Sequence, residues 1–206
     1  MAKFSGPKGK LVRRFGINIY DNSKYDRLLE RRNSRPGQHG AAQMRNKVSD
    51  YGLQLLEKQK LRCTYGLLEK QFRRLFQKAS QQKGVTGDNL MCLLETRLDN
   101  IAYRAGFGAT RMQARQLVNH GHLQVNGRRV DIPSFHLRPG DVITVSARES
   151  SRRLVARYLD EIPRFSTAGW LKVDREVLSV TVVHLPARDE IISPVNEQLV
   201  IELYSQ

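Results

Sequence analysis

Residues 94–145 read LETRLDNIAYRAGFGATRMQARQLVNHGHLQVNGRRVDIPSFHLRPGDVITV and contain two short amphipathic segments followed by a hairpin. In the first segment, apolar residues recur every three or four positions from Leu94 to Ala105, which predicts a helix with one buried face. Gly106 and Gly108 end it, and Thr110 is placed to cap a second helix. Asn126-Gly127 predicts a tight primed turn between two strands.

The polar faces of these two predicted helices carry an excess of positive charge. Arg97, Asn100 and Arg104 share one face of the first helix, whereas Arg111, Arg115 and Asn119 share a face of the second. Four arginines stand against only two acids in these helices, and a face that serves solubility alone usually mixes the signs more evenly. The pattern favours RNA or DNA binding over an ordinary solvated face. It also predicts that Arg111 and Arg115 can be replaced with little loss of folding and weaker RNA binding, whereas Leu117 belongs to the core.

The string RLDNIAYRAGFGATRMQARQLVNHGHLQVNGRRV resembles the S4 RNA-binding domain, in which two helices and a hairpin present a basic face to RNA. Further segments resemble the bacterial and organellar S4 ribosomal protein family, in the family's order along the chain. They are MAKFSGPKGKLVRRFG at the N-terminus, RPGQHG at 35–40, SDYGLQLLEKQKLRCTYGLLEKQFRRLF at 49–76 and NEQLVIELYS near the C-terminus.

The expected fold is α+β: a helical domain interrupted by a small S4-type module of two helices and a small antiparallel sheet. Residues 1–45 are expected to form an extended basic arm that binds rRNA. The helical domain is predicted to span 46–92 and to be completed by 186–206. The residues at 197–204 alone are compatible with a helix or a strand, and the resemblance favours a final helix. The module is placed at 93–160, and residues 161–185 are predicted as strands that lead back to the helical domain.

Composition independently favours a polyanion as partner. The 206 residues contain 35 Lys and Arg against 20 Asp and Glu, for a net charge of +15. Residues 161–206 have more acids than bases, so they are not expected to form the main RNA face. Cys63 and Cys92 are too few for a disulfide framework and lack metal-knuckle spacing, which predicts reduced core thiols. No apolar run approaches a membrane span, and no secretion signal is evident.

The N-terminal segment combines arginines with aromatic residues such as Phe15 and Tyr20, a pattern that suits phosphate contact and stacking on unpaired bases. Some family members bind zinc here through cysteines, but this segment has none, so no metal or other cofactor is expected. His39 is expected to contact RNA or backbone. The pair His120 and His122 flanks a glycine that suits a helix stop, which favours turn residues over metal ligands.

No nucleotide-binding loop, nucleophile elbow or zinc-protease histidine pair is present, so the chain is not expected to be an enzyme. Two alternatives stay open: an RNA-modifying enzyme that carries the same module, and a regulatory RNA-binding protein that visits ribosomes. The resemblance implies a primary rRNA-binding constituent of the small ribosomal subunit. Such a protein binds the 5′ domain of the rRNA, nucleates assembly of the body and contributes to translational accuracy.

The implied partners are the small-subunit rRNA, neighbouring small-subunit proteins and mRNA at the tunnel through which it enters the subunit. No membrane is expected as a partner. The implied location is the cytoplasmic ribosome, with an organellar ribosome left open. The residues expected at the RNA interface are Arg13, Arg14, Arg31, Arg32, Arg35, His39, Lys58, Arg62, Arg73, Arg74, Arg97, Asn100, Arg104, Arg111, Arg115, Asn119, Arg128 and Arg129.

Overall fold

The computed structural model describes residues 6–43, 47–161 and 168–205. Packing divides the chain into two compact units, one of 1–74 with 193–206 and the other of 75–192. The fold is α+β, as expected. In chain order the elements are α1 (Lys8–Phe15), α2 (Ser23–Arg31), α3 (Gly40–Gln43), α4 (Asp50–Thr64), α5 (Glu69–Ser80), α6 (Thr86–Glu95), α7 (Leu98–Arg104), α8 (Arg111–Asn119), β1 (Leu123–Val125), β2 (Arg128–Arg129), β3 (Val142–Val145), α9 (Glu149–Glu161), β4 (Leu171–Asp174), β5 (Ser179–Val182), a 3₁₀ turn (Arg188–Glu190) and α10 (Glu197–Ser205).

The first unit is held by α4 and the C-terminal helix α10, which pack against each other. Helix α4 begins as expected, because the Ser49 hydroxyl accepts a hydrogen bond from the backbone N–H of Gly52 at 3.2 Å. The amide of Gln54 donates to Glu202 on α10 at 3.1 Å. The prediction of a final helix is therefore confirmed, and its contact with α4 brings the two ends of this unit together.

The prediction of an extended N-terminal arm is wrong for the described residues, since α1, α2 and α3 all lie within the first 43 residues. Phe15 and Ile19 are buried and form a small cluster with Cys63 of α4. Val12 is fully buried as well. Few apolar residues occur here, but those that do occur lie where helix α1 and the turn after it can bury them. The part of the expected arm at 1–5 and 44–45 lies outside the described residues.

The second unit is built on α7, α8 and a five-stranded antiparallel sheet. The strand order is β2-β1-β3-β5-β4, and all neighbours are antiparallel. The expected turn joins β1 to β2, with positive φ at Asn126 (50°) and Gly127 (76°) as a primed turn requires. Thr110 caps α8, as expected, by accepting from the backbone N–H of Gln113 at 3.3 Å. Trp170 lies in this unit's core with 1% exposure.

The structure divides the chain at different positions from those expected. The boundaries lie after residues 74 and 192, whereas the sequence placed domain boundaries after 45, 92, 160 and 185. Strands β4 and β5 explain part of the difference, because β5 pairs with β3 of the module through Ile143 and Val180 and so extends the module's own sheet. Local alternation predicted these strands, but it could not identify their pairing partner.

Candidate nucleic-acid interface

Two acidic side chains, Glu95 and Asp99, organise the arginines of α7, of α8 and of the turn between α6 and α7. Asp99, at the start of α7, receives two hydrogen bonds from Arg97: Nε to Oδ1 at 3.0 Å and Nη2 to Oδ2 at 2.8 Å. Arg115 of α8 donates from Nη1 to the same Oδ2 at 3.2 Å. The exposed fractions of these three side chains are only 3–7%. One buried carboxylate therefore joins two arginines from different elements, which fixes α8 against the start of α7.

Glu95 forms the second centre, at the end of α6, and its side chain is only 1% exposed. Arg104 donates two hydrogen bonds to Glu95, from Nη2 to Oε1 at 2.8 Å and from Nε to Oε2 at 3.0 Å. Asn100 donates to Oε2 at 2.7 Å and accepts from Nε of Arg111 at 3.1 Å. The Arg111 guanidinium also lies 4.4 Å from the centre of the Tyr103 ring, in a cation–π contact.

This arrangement corrects the predicted pair of exposed polar faces. Arg97, Asn100 and Arg115 are buried, whereas Arg104 and Arg111 are only half-buried. Burial, and secondarily the neighbouring Arg97, lowers the pKa of Arg115, although Asp99 opposes the shift. The expectation that Arg115 can be replaced with little loss of folding therefore conflicts with its position, because its removal would take away a buried, charge-assisted hydrogen bond to Asp99 and the side chain that joins α8 to the start of α7.

The other predicted residues of this unit lie on the surface. Asn119 is exposed at the end of α8, and Arg128 is exposed just beyond the hairpin turn. Arg129 is also exposed, and its guanidinium covers Gly121: a Cβ built on that glycine would lie 2.2 Å from Arg129 Nε. Gly121 has φ of 68°, which suits its expected role after the last turn of α8.

In the first unit, Lys58 is buried rather than presented to solvent. Its Nζ contacts Glu69 Oε1 at 2.7 Å and lies 5.6 Å from the centre of the Tyr204 ring. Burial alone raises the pKa of Glu69, but hydrogen bonds from Lys58 and from the Tyr204 hydroxyl outweigh it, so the net shift is downward. Arg62 is half-buried and lies 3.6 Å from Glu69, and its Nε donates to Gln59. These cations stabilise the unit internally. Arg73 and Arg74 on α5 are exposed.

The predicted N-terminal residues also separate into two groups. Arg13 is half-buried and donates to the backbone carbonyl oxygens of Ser34 (3.0 Å) and Arg35 (3.2 Å), so it fastens the loop after α2. Arg35 is half-buried too. The remaining predicted residues of this segment are exposed: Arg14, Arg31, Arg32 and His39.

Sequence reasoning missed two features of the interface. It counted Glu95 and Asp99 only as a deficit of negative charge, although both organise the arginines. The signal in the sequence was an acidic residue beside the apolar start of a helix. Such a carboxylate is easily buried, and a buried carboxylate needs a cationic partner. It also missed Lys24 and Arg27, which with Arg31 line a groove on α2 beside Lys8. Their three- and four-residue spacing could have revealed that shared face.

Within the described ranges, no group of three or more His, Cys, Asp or Glu side chains is arranged to hold a metal ion. In the same part of the chain, no helix is long and apolar enough to cross a membrane. Cys63 and Cys92 are free thiols, and burial raises the pKa of both. The functional groups of this site are guanidinium and ammonium groups, some of which are hydrogen-bonded to carboxylates. Such groups are suited to binding anionic ligands.

Fold and site together define a basic α+β protein built around a helix–helix–hairpin module with an organised arginine surface. The profile described as "Ribosomal protein S4/S9 N-terminal domain" matches residues 3–95, and that of the S4 domain matches 96–143. The protein is similar to small ribosomal subunit protein uS4 of Akkermansia muciniphila (48% identity), Chloroflexus aurantiacus (49%) and Pelotomaculum thermopropionicum (51%), with all of both chains covered in each case. The chain belongs to the small ribosomal subunit protein uS4 family. Its relatives are ribosomal proteins, which confirms the expectation that it is not an enzyme.

Proposed function

We propose that the chain is a constituent of the small ribosomal subunit that binds the 5′ domain of the small-subunit rRNA directly. The observation that carries this proposal is similarity to uS4 proteins over the whole chain, with the organised arginines in and beside the S4 domain. By the family resemblance, it binds early and nucleates assembly of the subunit body. A net charge of +15 supports an RNA partner, because rRNA offers a dense array of phosphates.

The half-exposed arginines are suited to phosphate because they are already held in place. Arg104 is fixed by Glu95, and Arg111 is fixed by Asn100 and by the Tyr103 ring. A side chain that is ordered before binding loses less conformational entropy when it meets a ligand. In this mechanism the buried Arg97 and Arg115 position the two helices, and the more exposed arginines contact RNA.

The exposed cations outside this network supply further phosphate contacts in the proposal. Arg128 beyond the hairpin turn, Arg73 and Arg74 on α5, and Arg14 on α1 are all open to solvent. Affinity then comes from many such contacts, and specificity comes from the shape of an RNA junction and its unpaired bases. The buried Lys58 acts through the fold rather than through contact.

The finer roles are proposed from the same resemblance. In the assembled subunit the protein contacts neighbouring small-subunit proteins and so contributes to translational accuracy. It lies close to the tunnel through which mRNA enters, and it works on the cytoplasmic ribosome. Subunits reconstituted without the chain are expected to sediment as incomplete particles, and subunits that contain a variant weakened in RNA binding are expected to misread more often.

The direct test is binding to a transcript of the 5′ domain and to a scrambled RNA of equal length, from 50 mM to 200 mM salt. Both RNAs bind at low salt, since counterion release acts on any sequence. The proposal requires that the 5′ domain stay bound at physiological salt while the scrambled RNA is released. Equal loss of both RNAs would contradict it.

A matched pair of double variants tests which cations take part. Arg73→Gln with Arg74→Gln removes two exposed charges from α5, and we expect the affinity for the transcript to fall about tenfold and the salt slope to drop by about 2. Lys172→Gln with Arg175→Gln removes two exposed charges from the acidic C-terminal quarter. This control is expected to change affinity less than about threefold. Equal effects would mean that charge alone, and not position, governs binding.

A further inference from the structure

His122 occupies a fixed position between α8 and β1. Its backbone N–H donates to Leu117 at 3.1 Å, and its carbonyl accepts from Ser146 at 2.8 Å. The ring is fixed too, because Nδ1 lies 2.8 Å from Oγ of Ser151, a residue of α9 that is fully buried. The other ring nitrogen, Nε2, has no hydrogen-bond partner among the described residues. The histidine therefore presents one polar atom, in a set orientation, at the surface of the second unit.

The charged or titratable groups that act on this ring are His120, Arg148 and Arg129, each a cation or able to become one. His120, at the end of α8, lies 6.0 Å from His122 between ring centres. Arg129 of β2 covers the intervening Gly121, and Arg148, just before α9, acts on His122 electrostatically. Neither arginine forms an ion pair in the described part of the chain. The nearby acid Glu149 is mostly exposed and is paired with Arg153. We call His120, His122, Arg129 and Arg148 the His122 cluster.

In the free protein, the positive charge around His122 favours the binding of an anion. Partial burial, together with His120, Arg148 and Arg129, lowers the pKa of His122. The unbound protein therefore favours the neutral form of this ring. An anion placed against Nε2 reverses this balance, because it stabilises the imidazolium and is attracted by both arginines.

We propose that the His122 cluster binds a phosphate group of the RNA backbone, and that His122 takes up a proton from solution when it does so. The proposal rests on the proposed function, since it assigns one phosphate contact of the same RNA. In the imidazolium both nitrogens carry protons. Nδ1–H then donates to Oγ of Ser151, and Nε2–H donates to a phosphate oxygen. Arg129 and Arg148 supply the remaining charge.

The two histidines do not form a plausible metal site in this setting. Two neighbouring arginines repel a cation, and the described residues bring no third metal-binding side chain to the pair. An anion satisfies the same groups without a further ligand. The class of ligand is therefore phosphate, either as an RNA phosphodiester or as the free ion.

Proton uptake makes the site measurable, because binding then strengthens as pH falls. We expect the wild-type protein to bind the 5′-domain transcript about tenfold more tightly at pH 6.0 than at pH 7.5, at constant ionic strength, since one coupled proton changes affinity by at most tenfold per pH unit. His122→Gln keeps a polar side chain without the titration and is expected to lose most of this dependence. Calorimetry in two buffers with different ionisation enthalpies measures the protons taken up directly.

The matched control is His184→Gln, which removes an exposed histidine of the same unit that lies outside the cluster. It is expected to keep the wild-type pH dependence. Arg148→Gln provides a second test if His122→Gln does not fold, and we expect it to weaken binding about fivefold at both pH values. The inference is overturned if His122→Gln and His184→Gln show the same pH dependence, or if the wild type shows none.

Two further experiments are needed. The first distinguishes free phosphate from RNA phosphate as the ligand, and the second distinguishes failure of this proposal from failure of the proposed function. Inorganic phosphate, added in place of chloride at equal ionic strength, is expected to shift the NMR signal of His122 if free phosphate also enters the site. No shift, with the pH dependence on RNA retained, assigns the site to the RNA backbone. The scrambled RNA carries the same phosphates. If it and the 5′-domain transcript bind equally, the proposed function fails, while the difference between His122→Gln and His184→Gln still tests this site.

Discussion

Asp99 is the residue whose replacement tests the buried charge network most directly. Asp99→Asn removes the negative charge that Arg97 and Arg115 share but retains one acceptor oxygen and nearly the same volume. All three side chains are at most 7% exposed, so the two guanidinium groups would stay buried without a counter-charge. Breaking a buried ion pair on one side costs about 3–5 kcal/mol. Because one acceptor remains, we expect a loss of about 3 kcal/mol.

Trp170 provides the assay. It is the only tryptophan in the chain, and it is 1% exposed within the core of the second unit. Its fluorescence therefore follows the unfolding of this unit without an assumption that the whole chain unfolds in one step. With a urea slope of about 1.5–2 kcal/mol per molar, the midpoint of Asp99→Asn should fall by roughly 1.5–2 M.

The control is Glu149→Gln, which breaks the ion pair between Glu149 and Arg153 in the same unit. Both side chains of that pair are more than three-quarters exposed. Exposed pairs one helical turn apart contribute about 0.3–0.5 kcal/mol, so this midpoint should move by less than about 0.3 M. If Asp99→Asn moves the midpoint no further than Glu149→Gln does, the arginines are not held by Asp99 and the reasoning about the network fails.

Other substitutions separate folding from binding. Arg115→Ala should cost about 2–3 kcal/mol of stability, because it removes a buried, charge-assisted hydrogen bond to Asp99 while Arg97 still balances that carboxylate. Arg111→Ala should cost about 1 kcal/mol and mainly weaken RNA binding. Denaturation and filter binding that ranked both variants alike would contradict the assigned roles. Gly121→Ala should cost about 1–3 kcal/mol, because its φ is positive and the new Cβ would meet Arg129; an unchanged urea midpoint would show that the arginine moves freely. Burial, with Lys78 and Arg97, lowers the pKa of His136 to about 4. Its stabilising contribution is therefore full above pH 6.5 and is lost as pH falls towards 4, and His136→Gln should flatten the dependence of the urea midpoint on pH over that range.

Periodicity and turn chemistry were sufficient to predict most elements of the second unit. The apolar spacing predicted α8 and the body of α7, and Asn126-Gly127 predicted the hairpin, because these signals are local and act within a few residues. The predicted first helix was too long, since Leu94 lies in α6 and α7 begins only at Leu98. The pairing of β5 with β3 depends on residues nearly 40 positions apart, which no local pattern encodes. The helices near the N-terminus were missed for a related reason. Val12, Phe15 and Ile19 are buried by tertiary contacts, and their own segment is mostly polar.

The same limit applies to the candidate interface. The spacing of residues placed Arg97 and Arg115 on the polar faces of their predicted helices. Spacing within one helix does not predict which residues of a neighbouring helix pack against those faces. In the structure both faces meet at Asp99, so residues predicted for a ligand form the inside of the module. The exposure of Arg128, by contrast, followed from its place beyond a tight turn, where few neighbours can cover it.

The buried acids explain how so basic a surface can fold before RNA is present. Between residues 95 and 115, two acids stand among four arginines: Glu95 contacts Asn100 and Arg104 of α7, and Asp99 contacts Arg97 and Arg115 of α8. Repulsion within the module is thereby reduced, while the uncompensated charge remains on the more exposed guanidinium groups. Removing an acid would add net positive charge and, by charge alone, favour RNA. We expect the opposite, weaker binding by Asp99→Asn, because the arginines would lose the positions from which they act.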